Sequence, residues 1–234
     1  MTTGLERRPW PPQRPLRPAA AVALDLIGWD LDQPHTPLAF GYTGTNLPRW
    51  QSAVAALDRP AHRDGRMAWI VLPGDGEREL SRLRQRLCAA GFGEVRAACG
   101  PVAAGVRGAA ASFHAADVLL RVVLARPGAV ELPYRHAGLL QVLLDTPPDA
   151  LRAFVGQHLG PILDRDDLLA TLESWLATSG SRRAVSERLH LHRNSVGYRI
   201  GLIKHLLGVD PLEPDASAVL RTALAARELL AALG

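Results

Sequence analysis

The sequence predicts a protein of the α/β or α+β class, in which an α/β domain is followed by a small all-helical domain. The first observation is the length of 234 residues, which exceeds what one average domain needs. The second is an alternation of strand-like apolar runs with amphipathic helical segments as far as about residue 135, which is typical of a sheet covered by helices. The third is that strand signals cease after Tyr134, where only helical periodicity continues.

The α/β domain is predicted to contain four strands and three helices, preceded by a disordered tail over residues 1–18, which hold five prolines. The segment from Met67 to Leu72 is a continuous apolar run, which indicates a strand buried on both faces. A helix follows it, because Leu80, Leu83 and Leu87 fall on one face at helical spacing. The remaining strands are predicted at 37–42, 94–100 and 129–132, and the remaining helices at 46–57 and 109–125.

The C-terminal part is predicted to be all-helical. Helices are expected at 139–144, 148–159 and 215–230. Between the second and third of these, Asp166 or Asp167 is placed to cap another helix. The apolar stripe of that helix consists of Leu168, Leu169, Leu172, Trp175 and Leu176.

The positive charge of the chain is concentrated in one segment of this helical part. Residues 181–207 hold six basic residues and one glutamate, a net charge of +5. Residues 1–17 add +3, so the rest of the chain must carry −4 to give the overall +4. An acidic body with one compact basic segment is typical of a nucleic-acid-binding module attached to another domain.

The basic segment has the pattern of two short helices joined by a tight turn, the first over 182–189 and the second from Arg193 onward. One side of the second helix is an apolar stripe of Val196, Ile200, Ile203 and Leu207. The opposite side presents Asn194, Tyr198, Gly201 and His205. This is the arrangement of a helix-turn-helix, whose second helix enters the major groove of DNA with its N-terminus first. A helical hairpin that closes a bundle would also explain the stripe, but the six basic residues among 27 and the polar groups gathered opposite the stripe count against it.

Candidate DNA-contacting residues follow from this arrangement. Arginine and asparagine at the start of the second helix can pair with guanine and adenine edges, and helix N-terminal amides favour phosphate. The predicted base-reading residues are Arg193, Asn194, Ser195 and Tyr198. The predicted phosphate-contacting residues are Arg182, Arg183, Arg188, His192, Arg199 and Lys204.

The C-terminal region resembles the helix-turn-helix of PucR/CdaR-type bacterial regulators. The residues that carry the resemblance are Leu168-Leu169-Ala170-Thr171-Leu172, Leu189-His190-Leu191-His192-Arg193-Asn194-Ser195-Val196 and Tyr198-Arg199-Ile200. That family usually has threonine where this chain has Ser195 and arginine where it has Gly197. Helix-turn-helix proteins in general often have glycine where this chain has His190.

The resemblance extends upstream to the GGDEF-like central domain of the same family. Its residues are Gly28-Trp29-Asp30-Leu31-Asp32-Gln33-Pro34-His35, Gly100-Pro101-Val102 and Ser112-Phe113-His114-Ala115-Ala116. The resemblance implies a non-catalytic GGDEF-like α/β domain over 19–135, a helical connector over 136–160 and a helix-turn-helix DNA-binding domain over 161–234.

The sequence predicts no enzyme and no cofactor or metal site. A GGDEF cyclase would carry its signature before the buried strand, where this chain reads His62-Arg63-Asp64-Gly65-Arg66. The glycine pair that admits nucleotide and the paired acids that hold magnesium are both missing there. Cys88 and Cys99 cannot build a tetrahedral zinc site, and His190 and His192 lack further ligands. A nucleotide cyclase is therefore the least favoured function.

The predicted function is that of a cytoplasmic transcriptional regulator that binds double-stranded DNA. No uninterrupted apolar run reaches the roughly 20 residues that a membrane span requires, so no membrane association is expected. A homodimer or higher homo-oligomer is expected, because one helix-turn-helix gives limited affinity and specificity. The α/β domain would serve self-association or receive a signal, including one from a small-molecule effector that the sequence does not identify.

The alternative is a protein-interaction or ligand-sensing module whose helix-turn-helix has lost DNA reading. Gly197 favours it, because glycine weakens a helix by about 1 kcal/mol relative to alanine. The large N-terminal sensor domain common among such regulators is also not expected in this chain, which points the same way.

Overall fold

A computed structural model describes residues 32–233 apart from residues 58, 60, 91–93 and 127. The predicted disordered tail, 1–18, and residues 28–31 of the upstream resemblance lie outside the described residues. The described chain divides into two compact units, the first ending at His136 and the second running from Ala137 to Leu233.

The first unit is built on a five-stranded sheet in the order β2-β3-β1-β4-β5. The strands are β1 (His35–Tyr42), β2 (Ala61–Asp64), β3 (Met67–Pro73), β4 (Val95–Cys99) and β5 (Glu131–Leu132). The helices are α1 (Leu47–Ala55), α2 (Glu79–Ala89) and α3 (Gly105–Ala125), and a short 3-10 turn follows at Tyr134–His136. The predicted mixed α/β class is confirmed, and each predicted strand and helix of this unit is present.

The strand directions were not predictable from the pattern. Strand β1 pairs antiparallel with both β3 and β4, β2 pairs antiparallel with β3, and β4 pairs parallel with β5. Strand β2 was missed, since Ala61-His62-Arg63-Asp64 is short, half exposed and not apolar. It returns into β3 through a tight hairpin at Gly65, whose φ of +55° is a conformation that glycine adopts without strain.

Both faces of the sheet are covered by helices. Leu38, Phe40 and Ile70 belong to a buried cluster with Trp50 of α1 and Leu83 of α2. Strand residues alternate between the faces, so Gly41 points to the opposite side. There α3 covers it, and the δ-methyl groups of Leu124 lie 3.2 Å from where a β carbon of residue 41 would stand. In β3, successive residues from Ala68 to Leu72 are all buried, so both faces of this strand are apolar although its neighbours are antiparallel.

Helix α3 is a core helix with the length of a membrane span. It has 21 residues, and its most apolar 18-residue window has a mean hydropathy of 1.4, of which 61% is buried within the fold. The sequence has no uninterrupted apolar run of this length, because charged residues interrupt α3. Two of the charged residues within α3, Asp117 and Arg121, form an ion pair one turn apart at 3.2 Å. Burial raises the pKa of Asp117 despite this pair.

The second unit is all-helical, as predicted. It contains α4 (Leu139–Leu143), α5 (Pro148–Leu159), a 3-10 turn (Gly160–Ile162), α6 (Asp166–Ala177), α7 (Arg182–Leu189), α8 (Arg193–Leu207) and α9 (Pro214–Leu233). Helix α9 packs against α5, α4 and α6, and α6, α7 and α8 pack on one another. Residues 137–160, for which a connector is predicted, thus lie within this compact unit.

The predicted capping of α6 by Asp166 or Asp167 was wrong. The N-cap is Arg165, which makes no capping hydrogen bond through its side chain. Asp166 and Asp167 instead occupy the first turn of α6, where a carboxylate interacts favourably with the positive end of the helix dipole.

The close approach at Gly100 supplies a test of the first unit. A β carbon at residue 100 would stand 2.8 Å from the backbone carbonyl carbon of Ser112 in α3, and closer still to its oxygen. We therefore expect Gly100→Ala to lower the free energy of unfolding by roughly 1–3 kcal/mol. Gly108→Ala is the matched control, because a β carbon there would lie 3.4 Å from Ala103 and the helix gains alanine. Urea denaturation should show opposite shifts, and equal stability of the two variants would contradict the packing.

Candidate nucleic-acid interface

The second helix of the predicted helix-turn-helix, α8, is held by a buried apolar stripe. Val196 and Ile203 are fully buried and Ile200 is 5% exposed. The predicted stripe is thus confirmed at these three positions, and Leu207 is half-buried at the end of the helix. Burial on this side leaves the opposite side of α8 facing outward.

The connection between α7 and α8 is a tight turn. Ser181 caps the start of α7, since its hydroxyl accepts a hydrogen bond from the Ala184 amide at 3.3 Å. His190 ends the helix in the left-handed conformation, with φ 53° and ψ 44°. Ser186 then ties the turn to α7, because its hydroxyl donates to the Leu191 carbonyl and its own carbonyl accepts from the Leu191 amide. Ser186 therefore fixes the turn through both its side chain and its backbone.

The N-terminus of α8 is exposed and capped by a histidine. The Asn194 amide donates to Nδ1 of His192 at 3.2 Å. His192 therefore shapes the start of the helix through one ring nitrogen, and its Nε2 is on the other side of the ring. The first turns of both α7 and α8 contain no acidic residue. Arginines occupy these turns instead. Positive charge is unfavourable at a helix N-terminus, whose free backbone amides attract anions.

The four predicted base-reading residues lie together at the exposed end of α8. Arg193, Asn194 and Ser195 are exposed, and Tyr198 is 73% exposed, unusually for an aromatic side chain. Within the described part of the chain, the guanidinium of Arg193 makes no hydrogen bond or ion pair. An open groove of about 500 Å³ runs between this side of α8 and the start of α6. It is lined by Asn194, Ser195, Tyr198, Arg199, Leu202, Arg165, Asp167 and Leu168.

The predicted phosphate-contacting cations divide into two groups. Arg183 pairs with Glu187 at 2.8 Å, and Lys204 pairs with Asp210 at 2.6 Å. Hydrogen bonding to Lys204 lowers the pKa of Asp210, which keeps this pair charged. In the described residues, Arg182 and Arg188 have no carboxylate oxygen within 4.0 Å.

Arg199 faces α6 rather than solvent. Its side chain is 25% exposed, and its Nε lies 3.6 Å from a carboxylate oxygen of Asp167. Its Nη1 also donates to the Asp167 carbonyl and to the Thr171 hydroxyl, at 3.4 Å each. Asp167 has a second partner in Arg165, at 3.5 Å. Sequence reasoning did not identify Asp167 and Thr171 as partners of Arg199, although their i,i+4 spacing on α6 could have shown that they share one face.

The residues that stand where a GGDEF cyclase would carry its signature form the hairpin between β2 and β3. Asp64 ends β2 on the exposed side of this hairpin. Among the described residues no three histidine, cysteine, aspartate or glutamate side chains are grouped as a metal ion would require. Burial raises the pKa of the Cys99 thiol to about 12, so this cysteine stays protonated.

Two domain families match the chain. The PucR C-terminal helix-turn-helix domain matches residues 168–226, and the GGDEF-like domain matches residues 13–122. The first match spans α6, α7 and α8 and much of α9. The second spans the sheet as far as β4 and most of α3, together with residues that the structure does not describe.

Several curated proteins are similar to parts of the chain. An uncharacterised protein encoded in the pkwA 5' region of Thermomonospora curvata is 40% identical over 88 residues, 36% of this chain and 48% of that protein. The purine catabolism regulatory protein of Bacillus subtilis is 29% identical over 121 residues, 50% of this chain and 23% of that protein. The chain therefore spans about half the length of the first relative and about a quarter of the second.

A solved structure, that of a regulator of polyketide synthase expression from Bifidobacterium adolescentis, is also similar to the chain. It shares 20% sequence identity, and the alignment covers 87% of this chain and 83% of that one with a TM-score of 0.38.

The left-handed residue at the end of α7 gives a stability prediction. An L-residue in this conformation costs energy that glycine does not pay. We expect His190→Gly to unfold with a free energy about 1 kcal/mol higher than His190→Ala, since both lack the imidazole and only glycine relieves the strain. Thermal or urea denaturation of the two variants measures this difference. Equal stabilities would show that the backbone at residue 190 is not strained.

The contact between Arg199 and Asp167 gives a second prediction. A double-mutant cycle with Arg199→Gln and Asp167→Asn should give a coupling of roughly 0.5–1 kcal/mol in unfolding, because the pair is partly exposed. The control cycle is Arg183 with Glu187, whose side chains are 74% and 65% exposed and should couple more weakly. A variant Arg199→Gln with unchanged stability but weakened DNA binding would instead support the phosphate contact predicted from the sequence.

Proposed function

Because the chain belongs to the PucR/CdaR type of bacterial regulators, with a GGDEF-like domain ahead of a PucR helix-turn-helix domain, we propose that it is a transcriptional regulator that binds double-stranded DNA. In this proposal α8 enters the major groove, where Arg193, Asn194, Ser195 and Tyr198 contact base edges. The proposed DNA-binding domain covers 161–234 and follows a connector at 136–160, most of which packs within the same compact unit.

The observation that carries the proposal is the state of the α8 surface. Its inner side is buried, yet its N-terminal end presents an arginine, an asparagine and a tyrosine to solvent. An exposed tyrosine ring, and an arginine that has no partner among the described residues, contribute little to folding of the second unit. The same side chains supply the donors and the planar surface that a base edge requires.

The phosphate contacts divide by availability. Arg182 and Arg188 are exposed and make no ion pair with the described residues, so they can reach phosphate without breaking one. Arg183 and Lys204 must exchange Glu187 and Asp210 for phosphate, an exchange that partly cancels the gain in binding. Arg199 is assigned to holding α8 in place rather than to binding phosphate. His192 offers its Nε2 to phosphate while its Nδ1 caps the helix.

The first unit would serve self-association or signal reception. A two-fold symmetric dimer would present two copies of α8 to two half-sites of an operator, which raises both affinity and specificity. A signal, such as a small-molecule effector, would act through this GGDEF-like domain at 19–135. This function places the protein in the cytoplasm with the DNA it regulates, and assigns it no enzymatic activity.

The test is binding of the chain to a random-sequence duplex pool at two salt concentrations, followed by sequencing of the bound fraction. Retention that falls steeply with salt is expected, because phosphate contacts release counterions. Enrichment of an inverted or direct repeat would give the operator and the half-site spacing. No retention at low salt would overturn the proposal and favour a protein-interaction or ligand-sensing module.

Variants of α8 sharpen this test. Arg193→Ala and Asn194→Ala should each remove the sequence enrichment and cost about 1–3 kcal/mol in specific binding, since each would lose contacts with a base edge. The matched control is Arg152→Ala, which removes the same charge from α5, outside the helix-turn-helix. Loss of the same size in Arg152→Ala would show that overall charge, rather than α8, determines binding.

A further inference from the structure

Gly197 lies beside the guanidinium of Arg182. Residue 197 is one turn after Arg193 in α8, on the flank that packs against α7. A β carbon at residue 197 would stand 3.8 Å from Cζ, 3.9 Å from Nη1 and 4.0 Å from Nε of Arg182. Three guanidinium atoms at nearly equal distances mean that the flat face of the group is turned toward Gly197. The arginine of α7 thus lies over the bare backbone of α8.

Nothing in the described part of the second unit requires a cation at this place. Arg182 is exposed, and in that part of the chain no carboxylate oxygen lies within 4.0 Å of its guanidinium. It is also the first residue of α7, where the helix dipole disfavours positive charge. Its neighbour Arg183, by contrast, is paired with Glu187. Arg182 is therefore available to an anion outside the chain, such as a phosphate group.

We propose that the missing side chain of Gly197 leaves a space, called here the seat, in which Arg182 lies against α8. From this position the arginine binds the DNA phosphate next to the groove that α8 enters. This rests on the proposed function and deepens it, by naming the residue that positions one of its phosphate contacts. Arg182 and Arg193 then form one cationic edge along the same flank of α8, supplied by two different helices. In this arrangement Gly197 contributes to binding through the space it leaves.

The size of the seat gives the proposal a sharp test. At 3.8 Å a single β carbon makes an ordinary van der Waals contact, so Gly197→Ala keeps the seat and improves the helix propensity of α8. A longer neutral side chain, as in Gly197→Gln, must displace the guanidinium. These two variants carry the same charge as the parent chain, so they separate the seat from overall electrostatics.

The experiment measures duplex affinity as a function of salt for the whole chain and four variants. Arg182→Ala and Gly197→Gln should each bind roughly tenfold more weakly. Each should also lose about one unit of the slope of log affinity against log salt, as expected for one lost phosphate contact. Gly197→Ala should match the parent. The double variant Arg182→Ala with Gly197→Gln should be no weaker than either alone, because both changes remove the same contact.

A fifth variant moves the guanidinium from α7 to α8. Arg182→Ala combined with Gly197→Arg should recover the slope, since the guanidinium then reaches the same place from α8. Equal binding by Gly197→Gln and Gly197→Ala, or additive losses in the double variant with glutamine, would overturn the proposal.

Failure of the proposed function is distinguishable from failure of the seat. If the parent chain binds no duplex at low salt, the proposed function fails. The seat is then tested with inorganic phosphate, by following the Nε–Hε resonance of Arg182 in NMR spectra. A phosphate-dependent shift in the parent and in Gly197→Ala, absent in Gly197→Gln, supports the seat, and identical spectra in all three overturn it.

Discussion

The burial of Val196, Ile200 and Ile203 between neighbouring helices is the constraint on which the second unit depends. This stripe sets the rotation of α8 about its own axis, because turning the helix would expose these three side chains to water. Once the rotation is set, Tyr198 and Asn194 must face outward. The turn at His190 and Ser186 then sets where α8 begins, since it allows few residues between the two helices.

Polar contacts refine what the apolar stripe determines. On one flank of α8, Arg199 reaches Asp167 and Thr171 of α6. On the other flank, Arg182 of α7 lies over Gly197. An arginine therefore lies along each side of α8. Arg199 extends from α8 to α6, and Arg182 extends from α7 to α8. The first contributes to holding the helix, and the second adds charge to its exposed edge.

The first unit follows a different packing rule. Its sheet is covered on both faces, so the residues between strands and helices must be small wherever the backbones come close. Gly41 lies beneath Leu124, and Gly100 lies against the backbone of Ser112. The same covering explains why α3 combines the length of a membrane span with burial in a core. The ion pair of Asp117 and Arg121 within it would be costly in lipid and is tolerated at the edge of a protein core.

The sequence by itself determined where most elements of the described chain lie and which side of each is buried. Local signals suffice for this: hydrophobic spacing predicted α7 over 182–189, the start of α8 and its inward stripe, and the helical domain after the sheet. The resemblance in 168–200 likewise identified the domain type, because it depends on short contiguous motifs.

Only the tertiary structure decided the strand directions, the presence of β2 and the partners of the charged side chains. Hydrophobic periodicity predicts that one face of an element is buried, but it does not predict which other element covers that face. Arg199 and Asp167 are 32 positions apart, and Arg182 meets Gly197 across two helices, so no local pattern joins them. Basic residues that look equivalent in the sequence are therefore distinguished only by the neighbours that folding brings to them.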